Sequence, residues 1–113
     1  MHVTILVPGL GLPSAVIGPL EVFSNTGVVW NALVGEEEKK PFDVITASLD
    51  GKPVHFEGGI TIKPDKSIAQ IRKTDLIFIP TIGLDVDKVL ARNRKMIQFI
   101  NRSFNTDLNK LVK

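Results

Sequence analysis

The chain has 113 residues, of which 43% are hydrophobic and 23% charged, and these proportions are typical of one globular domain. The net charge is only +2 and the basic residues are scattered, so we expect no direct nucleic-acid binding, which needs a concentrated basic face. The absence of cysteine excludes disulfides, thiolate metal sites and cysteine nucleophiles. No apolar run is long enough to span a membrane and the N-terminus does not resemble a signal peptide, so we expect no membrane partner and a cytoplasmic location.

The first predicted strand is His2–Val7, an apolar run that ends at Pro8-Gly9 and fits a strand buried on both faces. A helix is predicted over about 14–34, because apolar residues recur there on one helical face. Pro19 either opens this helix or follows a first turn before a kink. The apolar stripe consists of Val16, Leu20, Phe23, Trp30 and Val34.

Two residues on this stripe have specific expected roles. Gly27 lies on it and is expected to let the helix backbone approach the sheet. Trp30 is expected to pack in the core, with a dimer contact as the alternative.

A second strand is predicted at Phe42–Leu49, and the Asp50-Gly51 turn follows it. Lys52–Phe56 and Gly59–Lys63 then form the arms of a predicted β-hairpin with Glu57-Gly58 near its tip.

The last third of the chain contains a short helix over about 66–72, with Ile68 and Ile71 directed inward, and a third central strand at Asp75–Pro80. A helix is predicted over about 85–103, and residues 104–113 have no predicted structure. The apolar side of the helix predicted over 85–103 consists of Val86, Val89, Leu90, Ile97 and Ile100. Strands that alternate with helices predict an α/β fold with a mostly parallel sheet between helices.

Residues Ile5–Phe23 (ILVPGLGLPSAVIGPLEVF) resemble the opening of the ThiJ/PfpI, class I glutamine amidotransferase-like superfamily. More narrowly, they resemble the N-terminal amidase-like domain of GlxA-type AraC-family transcriptional regulators. Gly18–Phe23 is the most specific piece, and Phe42–Val54 and Asp75–Gly83 agree in the expected order. The resemblance covers about residues 3–100.

This resemblance implies a flavodoxin-like three-layer sandwich with a partial, mostly parallel sheet and a small β-hairpin. It also implies that residues 1–113 are a single, incomplete amidotransferase-like domain that stops before the nucleophile elbow. The helix-turn-helix DNA-binding domain of such regulators is expected to be absent from this chain.

The sequence departs from the catalytic pattern of the superfamily. The resemblance implies a cysteine nucleophile, an acid on the first helix and a Pro-Gly-Gly turn after the third strand. Here Ala15 stands at the position of the acid, and Pro80 is followed by Thr81, Ile82 and Gly83. We therefore expect no catalytic residues and no enzyme activity by this mechanism.

The candidate ligand-binding residues follow the first and third strands. In open parallel sheets, ligands bind just outside the carboxyl ends of the strands. The alternative for these loops is that they are ordinary strand-to-helix turns. The alternative for Glu21, the acid of the Gly18–Phe23 motif, is that it faces solvent or caps a neighbouring backbone amide. The candidates are Gly9, Gly11, Leu12, Glu21, Thr81, Ile82 and Gly83.

No cofactor or metal site is predicted, because His2 and His55 are the only histidines and lack nearby cysteines. Arg92, Arg94 and Lys95 are interpreted as a solvated helix face.

The predicted function is a non-catalytic ligand-sensing and dimerisation domain of an AraC-family regulator. Its partners would be an unidentified small-molecule effector and a second copy of the chain. Two alternatives remain: a hydrolase or amidase that uses Ser14, Thr81 or Ser103 in place of the thiol, and a degenerate module that only dimerises.

Overall fold

The computed structural model describes residues 1–83 and 85–111, with side chains described up to residue 105. Four strands form a parallel sheet in the order β5-β2-β1-β6, and β3 and β4 form a separate antiparallel pair. The strands are β1 (His2–Leu6), β2 (Asp43–Ser48), β3 (Val54–His55), β4 (Thr61–Ile62), β5 (Lys66–Ser67) and β6 (Leu76–Phe78).

Helices cover both faces of the four-stranded sheet, so the predicted α/β, flavodoxin-like sandwich with a small hairpin is confirmed. Among the described residues, no helix combines the length and the apolar character needed to cross a membrane. The helices are α1 (Pro13–Asn25), α2 (Val29–Leu33), α3 (Val86–Arg92) and α4 (Arg94–Leu111), with a 3-10 helix at Ile68–Gln70.

Strand β1 lies in the middle of the sheet and is buried on both faces, as its apolar run predicts. It pairs with β2 on one side and β6 on the other, so that Val3 lies beside both Val44 and Leu76. Val3, Ile5 and Leu6 have no solvent-accessible surface. A central parallel strand needs an unbroken apolar sequence because both of its faces meet helices or loops.

One face of the sheet packs against α1 and the hairpin. Val3, Ile5, Val7 and Val16 form its buried core, and half-buried apolar residues of α1, β2, the hairpin and β6 surround them. The Phe23 ring meets Phe42 edge-on at a centroid distance of 5.0 Å. Such aromatic pairs add about 0.5–1.5 kcal/mol beyond the burial of their surface.

The opposite face packs against α4 and the 3-10 helix. Its buried core consists of Leu6, Ala47, Ile68, Met96 and Phe99. Alternate residues of β1 therefore serve different cores, Ile5 on one face and Leu6 on the other, as the two-residue period of a strand requires.

The single helix predicted over 14–34 is wrong: the chain forms α1 and α2 with a turn between them. Gly27 does not approach the sheet; it has a φ of +75° and accepts a hydrogen bond from the N–H of Lys39. The helix begins at Pro13, so Pro19 lies inside it rather than opening it. Trp30 is 69% exposed, so its expected place in the core is also wrong.

The other helix predictions need smaller corrections. Residues 66–72 form β5 and a 3-10 helix, although Ile68 is buried and Ile71 half-buried as expected. The helix predicted over 85–103 divides at Asn93 into α3 and α4. On α3 only Val89 is buried, whereas Val86 and Leu90 are exposed. Helix α4 continues to Leu111, and residues 112–113 lie outside the described residues.

Asp75 fixes the start of the edge strand β6 to β1. Its N–H donates to the carbonyl of His2, and its Oδ2 accepts a 2.7 Å hydrogen bond from the N–H of His2. The backbone hydrogen bond from His2 is the main cause that lowers the pKa of Asp75. Desolvation raises this pKa in part, and the positive charges of Lys73, His2 and the N-terminus lower it further.

Gly27→Ala is expected to destabilise the protein much more than Gly35→Ala. Both glycines have positive φ, which costs a residue with a Cβ about 1 kcal/mol. At Gly27 the new Cβ would also lie 2.0 Å from the carbonyl oxygen of Lys39, whereas at Gly35 no atom lies within 4 Å. We expect the clash to add about 1–3 kcal/mol to the loss in free energy of unfolding, measured by urea denaturation. Equal losses in the two variants would contradict this packing of Gly27.

Asp75→Asn is expected to reduce the gain in melting temperature that the protein shows between acid and neutral pH. Because the folded-state pKa of Asp75 lies below its ordinary value of 3.8, its ionised form stabilises the fold above that value. This stabilisation is lost as the pH falls through the lowered pKa. Thermal unfolding from pH 2.5 to 7 tests this, with the exposed Glu57→Gln as the matched control. A pH profile of Asp75→Asn that follows wild type would show that the carboxylate contributes nothing.

Candidate functional site

The two predicted ligand loops leave the sheet side by side. β1 and β6 are adjacent parallel strands, and Ile5 pairs with Phe78 near their carboxyl ends. The loop after β1 runs from Val7 to Leu12 and leads into α1, and the loop after β6 runs from Ile79 towards α3. The structure therefore brings Gly9, Gly11 and Leu12 to the same sheet edge as Thr81, Ile82 and Gly83.

The loop after β1 has a tight and strained backbone. The N–H of Gly11 donates to the carbonyl of Pro8 over 3.4 Å, which closes a turn around Gly9 and Leu10. Leu10 has a φ of +66°, and it is the one residue other than glycine with positive φ in the described part of the chain. Non-glycine residues in this conformation cost about 1–2 kcal/mol and persist only where the surroundings enforce them.

The buried side chain of Asn93, at the junction of α3 and α4, holds this loop in place. Asn93 Oδ1 accepts from the N–H of Gly9 over 3.0 Å, and its Nδ2 donates to the carbonyl of Gly9 over 2.9 Å. The Nδ2 group also donates to the carbonyl of Val89 over 2.8 Å. Asn93 is only 5% exposed, so this side chain replaces water as the partner of both backbone groups of Gly9.

Arg92 brings a positive charge to the same loop. An ideal Cβ at Gly9 would lie 3.6 Å from Arg92 Cγ and 3.8 Å from its Nε, so the arginine side chain lies across Gly9. Arg94 and Lys95 are exposed, in agreement with their interpretation as a solvated face. Arg92 differs from them because it adjoins a predicted ligand residue.

The loop after β6 presents small and apolar groups. Thr81 is exposed, whereas Ile82 and Gly83 are half-buried. Gly83, and not Thr81, has a positive φ, of +63°. The backbone of Thr81 therefore has a conformation that residues with a Cβ adopt readily.

Glu21 is not brought to these loops. It is exposed on α1, eight residues after Pro13, which places it roughly 12 Å further along the helix axis. Among the described residues it has no hydrogen-bond or ion-pair partner.

His2 lies at the opposite end of the sheet from Ser14 and Thr81, two of the hydroxyl groups weighed as nucleophiles. His2 is at the amino end of β1, where its Nδ1 is 3.3 Å from Asp43 Oδ2. His55 lies in the hairpin, with its Nδ1 2.9 Å from Thr61 Oγ1. Ser14 and Thr81 are at the opposite, carboxyl end of the sheet. Within the described residues, no three potential metal ligands of the His, Cys, Asp or Glu type come together.

A cavity of about 220 Å³ lies at the amino ends of the strands, far from the predicted ligand loops. His2, Thr4 and Asp43 are among its lining residues. The loops remain the candidate site on the strength of their position in the sheet and the contact with Asn93.

Comparisons with known proteins identify the fold. A crystal structure named "a putative transcriptional regulator protein from Vibrio parahaemolyticus" superposes with a TM-score of 0.64 at 18% identity, covering 89% of this chain and 49% of that one. A DJ-1 superfamily protein from Agrobacterium tumefaciens gives a TM-score of 0.48 at 17% identity, covering 85% and 49%. The chain shares the α/β fold, with its mostly parallel sheet, of the structure from Vibrio parahaemolyticus. It spans about half the length of these two structures.

At the level of sequence, no family model matches the chain. No curated protein matches it either.

Asn93 was missed by the sequence analysis, although a signal for it was present. It lies four residues after Val89 and three before Met96, so a polar amide interrupts the buried stripe of the last helices. A buried asparagine at such a position must find hydrogen-bond partners, and here the partner is a loop 84 residues away in sequence.

Asn93→Ala is expected to destabilise the protein by about 2–4 kcal/mol, because the partly buried N–H and carbonyl of Gly9 would lose their partners. Asn101→Ala on the exposed side of α4 is the matched control and should change the free energy of unfolding by less than about 0.5 kcal/mol. Chemical denaturation measures both. A loss in Asn93→Ala as small as in the control would contradict the role assigned to this amide.

Proposed function

We propose that this chain is the ligand-sensing and dimerisation part of an AraC-type transcriptional regulator and that it has no catalytic activity of its own. The observation that carries the proposal is the loop after β1. It is held by Asn93 in a strained conformation beside the loop after β6, at the edge of a parallel sheet where ligands usually bind. A loop fixed in advance loses less entropy when a ligand binds.

The regulator part of the proposal is supported by the name of the protein from Vibrio parahaemolyticus, whose fold this chain shares. It is also supported by the resemblance of Gly18–Phe23 to the opening of GlxA-type regulators. DNA binding would belong to another part of such a protein, because this chain has a net charge of only +2 and scattered basic residues.

The lack of catalysis is supported by the placement of the reactive groups. The chain has no cysteine, and a hydroxyl nucleophile needs a base within hydrogen-bond reach. His2 lies seven residues before Gly9 along an extended strand, which is roughly 20 Å from the loops that carry Thr81 and precede Ser14. Ester hydrolysis that disappeared on alanine substitution of Ser14, Thr81 and Ser103 would contradict this part of the proposal.

A thermal-shift screen against soluble metabolites tests ligand sensing. A ligand at 100 times its Kd stabilises the native state by about 2.7 kcal/mol, which raises the melting temperature by several degrees. Leu12→Glu, in the loop after β1, should abolish the shift. Phe104→Glu, which changes another exposed apolar residue, on α4, should retain it.

Amide chemical shifts of the wild-type protein with the bound metabolite should change at Gly9–Leu12 and Thr81–Gly83. A metabolite that stabilised wild type and Leu12→Glu equally would contradict the position of the site. A complete screen without any shift would remove the basis for ligand sensing.

Dimerisation is favoured by a separate observation on α1 and α2. Several exposed apolar side chains lie on these two helices: Ile17, Val22, Val29, Trp30 and Leu33. Trp30 is 69% and Leu33 is 75% exposed, and their spacing of three residues places them on one side of α2. Exposed clusters that contain tryptophan are typical of protein–protein contacts, and tryptophan often dominates their binding energy.

Trp30→Glu is expected to convert a homodimer into a monomer, because a charge would replace the aromatic centre of the contact. Loss of a residue of this kind costs about 2 kcal/mol or more of association free energy, or roughly a 30-fold higher Kd. Sedimentation velocity over a concentration series measures the change. Phe104→Glu on α4 is the control and should leave the dimer intact. A wild-type chain that stayed monomeric at every concentration would contradict the dimer.

A further inference from the structure

The cavity of about 220 Å³ at the amino ends of β1 and β2 lies outside the ligand loops and has a distinctive charge. It opens between these strand ends, the start of β5 and the segment that leads into β6. Lys66, Arg72 and Lys73 are all exposed at its border. Three cationic side chains therefore surround a concave surface on a chain whose net charge is only +2.

The carboxylates nearby do not neutralise these three cations by direct contact. Asp43 Oδ2 lies 3.3 Å from His2 Nδ1, and Asp75 accepts the backbone N–H of His2. None of the three cations forms an ion pair with a described residue. Asp43 also lines the cavity, and the charge of Lys73 acts on Asp75. Three cations against one lining carboxylate still leave the cavity with a net positive charge, and a concave site focuses such a field more than a flat surface does.

The interior of the cavity has an apolar side. Ile45 and Ile71 line it and are half-buried, and Ile71 continues into the core below α4. The space corresponds to about seven water molecules at roughly 30 Å³ each. A compact apolar body fits this space, which is smaller than the usual range of about 300–1,000 Å³ for pockets that hold drug-sized ligands.

We propose that this cavity binds a small organic carboxylate, with its apolar body against Ile45 and Ile71 and its carboxylate among Lys66, Arg72 and Lys73. The arginine supplies the planar pair of donors that matches a carboxylate in two parallel hydrogen bonds. His2 and Gly9 are separated by roughly 20 Å along β1 and its extension, so this site is separate from the ligand loops. The proposal of a carboxylate site does not depend on the regulatory function proposed above.

The test titrates the full chain with benzoate and, separately, with benzamide, which has nearly the same shape without the charge. Amide chemical shifts provide the readout. Benzoate should perturb residues around Thr4 and Ile71 and leave Gly9 and Leu12 unchanged, and its affinity should fall as salt is added. Benzamide should bind at least about tenfold more weakly, because it lacks the charge-assisted hydrogen bonds.

Variants at the border of the cavity separate specific binding from general attraction to a basic protein. Arg72→Gln should weaken benzoate about tenfold, and Lys66→Gln should weaken it by a smaller factor. Lys95→Gln on α4 removes the same charge from a surface outside the cavity and should leave the affinity unchanged. Unchanged melting temperatures would show that the variants are folded.

Three results would overturn the proposal. The first is equal affinity for benzoate and benzamide. The second is an equal loss of affinity in Arg72→Gln and Lys95→Gln. The third is the absence of shifts around Thr4 and Ile71 at saturating benzoate, including the case in which only the loop at Gly9–Leu12 responds.

Discussion

The amide of Asn93 pairs with both the N–H and the carbonyl of Gly9, and this two-point contact joins the first strand–helix unit to the third. Strand β6 is short, with three residues paired to β1, so its own ladder gives it little support. Asp75 holds the amino end of β6 through His2, and Asn93 holds the helices that follow it through Gly9. The edge strand β6 is thereby attached to the first strand–helix unit both before it and after the loop that follows it.

The same parallel strands place two chemically different surfaces at opposite ends of the sheet. The carboxyl end carries backbone turns, small residues and the side chain of Arg92 across Gly9. The amino end carries the cavity bordered by Lys66, Arg72 and Lys73. Strand β1 connects these two ends, with His2 exposed at the amino end and Val3–Leu6 buried between the two cores.

The sequence predicts the central strands, the hairpin and the α/β order well, because these follow from local patterns. The apolar run His2–Val7 and the paired arms around Glu57-Gly58 need no knowledge of distant residues. The resemblance of Ile5–Phe23 to a known superfamily adds the three-layer sandwich, and the parallel direction of the strands places the loops after β1 and β6 at one edge of the sheet. These loops are the part of the candidate site that sequence reasoning reaches.

The errors arise where a distant residue decides the local structure. The helical period continues from Phe23 to Trp30, but Gly27 must turn there because its carbonyl bonds Lys39, and the turn rotates Trp30 into solvent. The last predicted helix divides at Asn93, whose side chain bonds both Gly9 and the carbonyl of Val89. Periodicity identifies neither Lys39 as the partner of Gly27 nor Gly9 as the partner of Asn93, because both contacts depend on the folded topology.

The hydrogen-exchange rate of the Gly9 amide tests the central claim most directly. If Asn93 fixes the loop after β1, the Gly9 N–H should exchange as slowly as the N–H of Val7, which donates to Ala47 within the sheet. The protection of Gly9 should also be lost selectively in Asn93→Ala, while Val7 keeps most of its own. Exchange of Gly9 in the wild-type protein as fast as that of Gly58, at the exposed hairpin tip, would contradict the account.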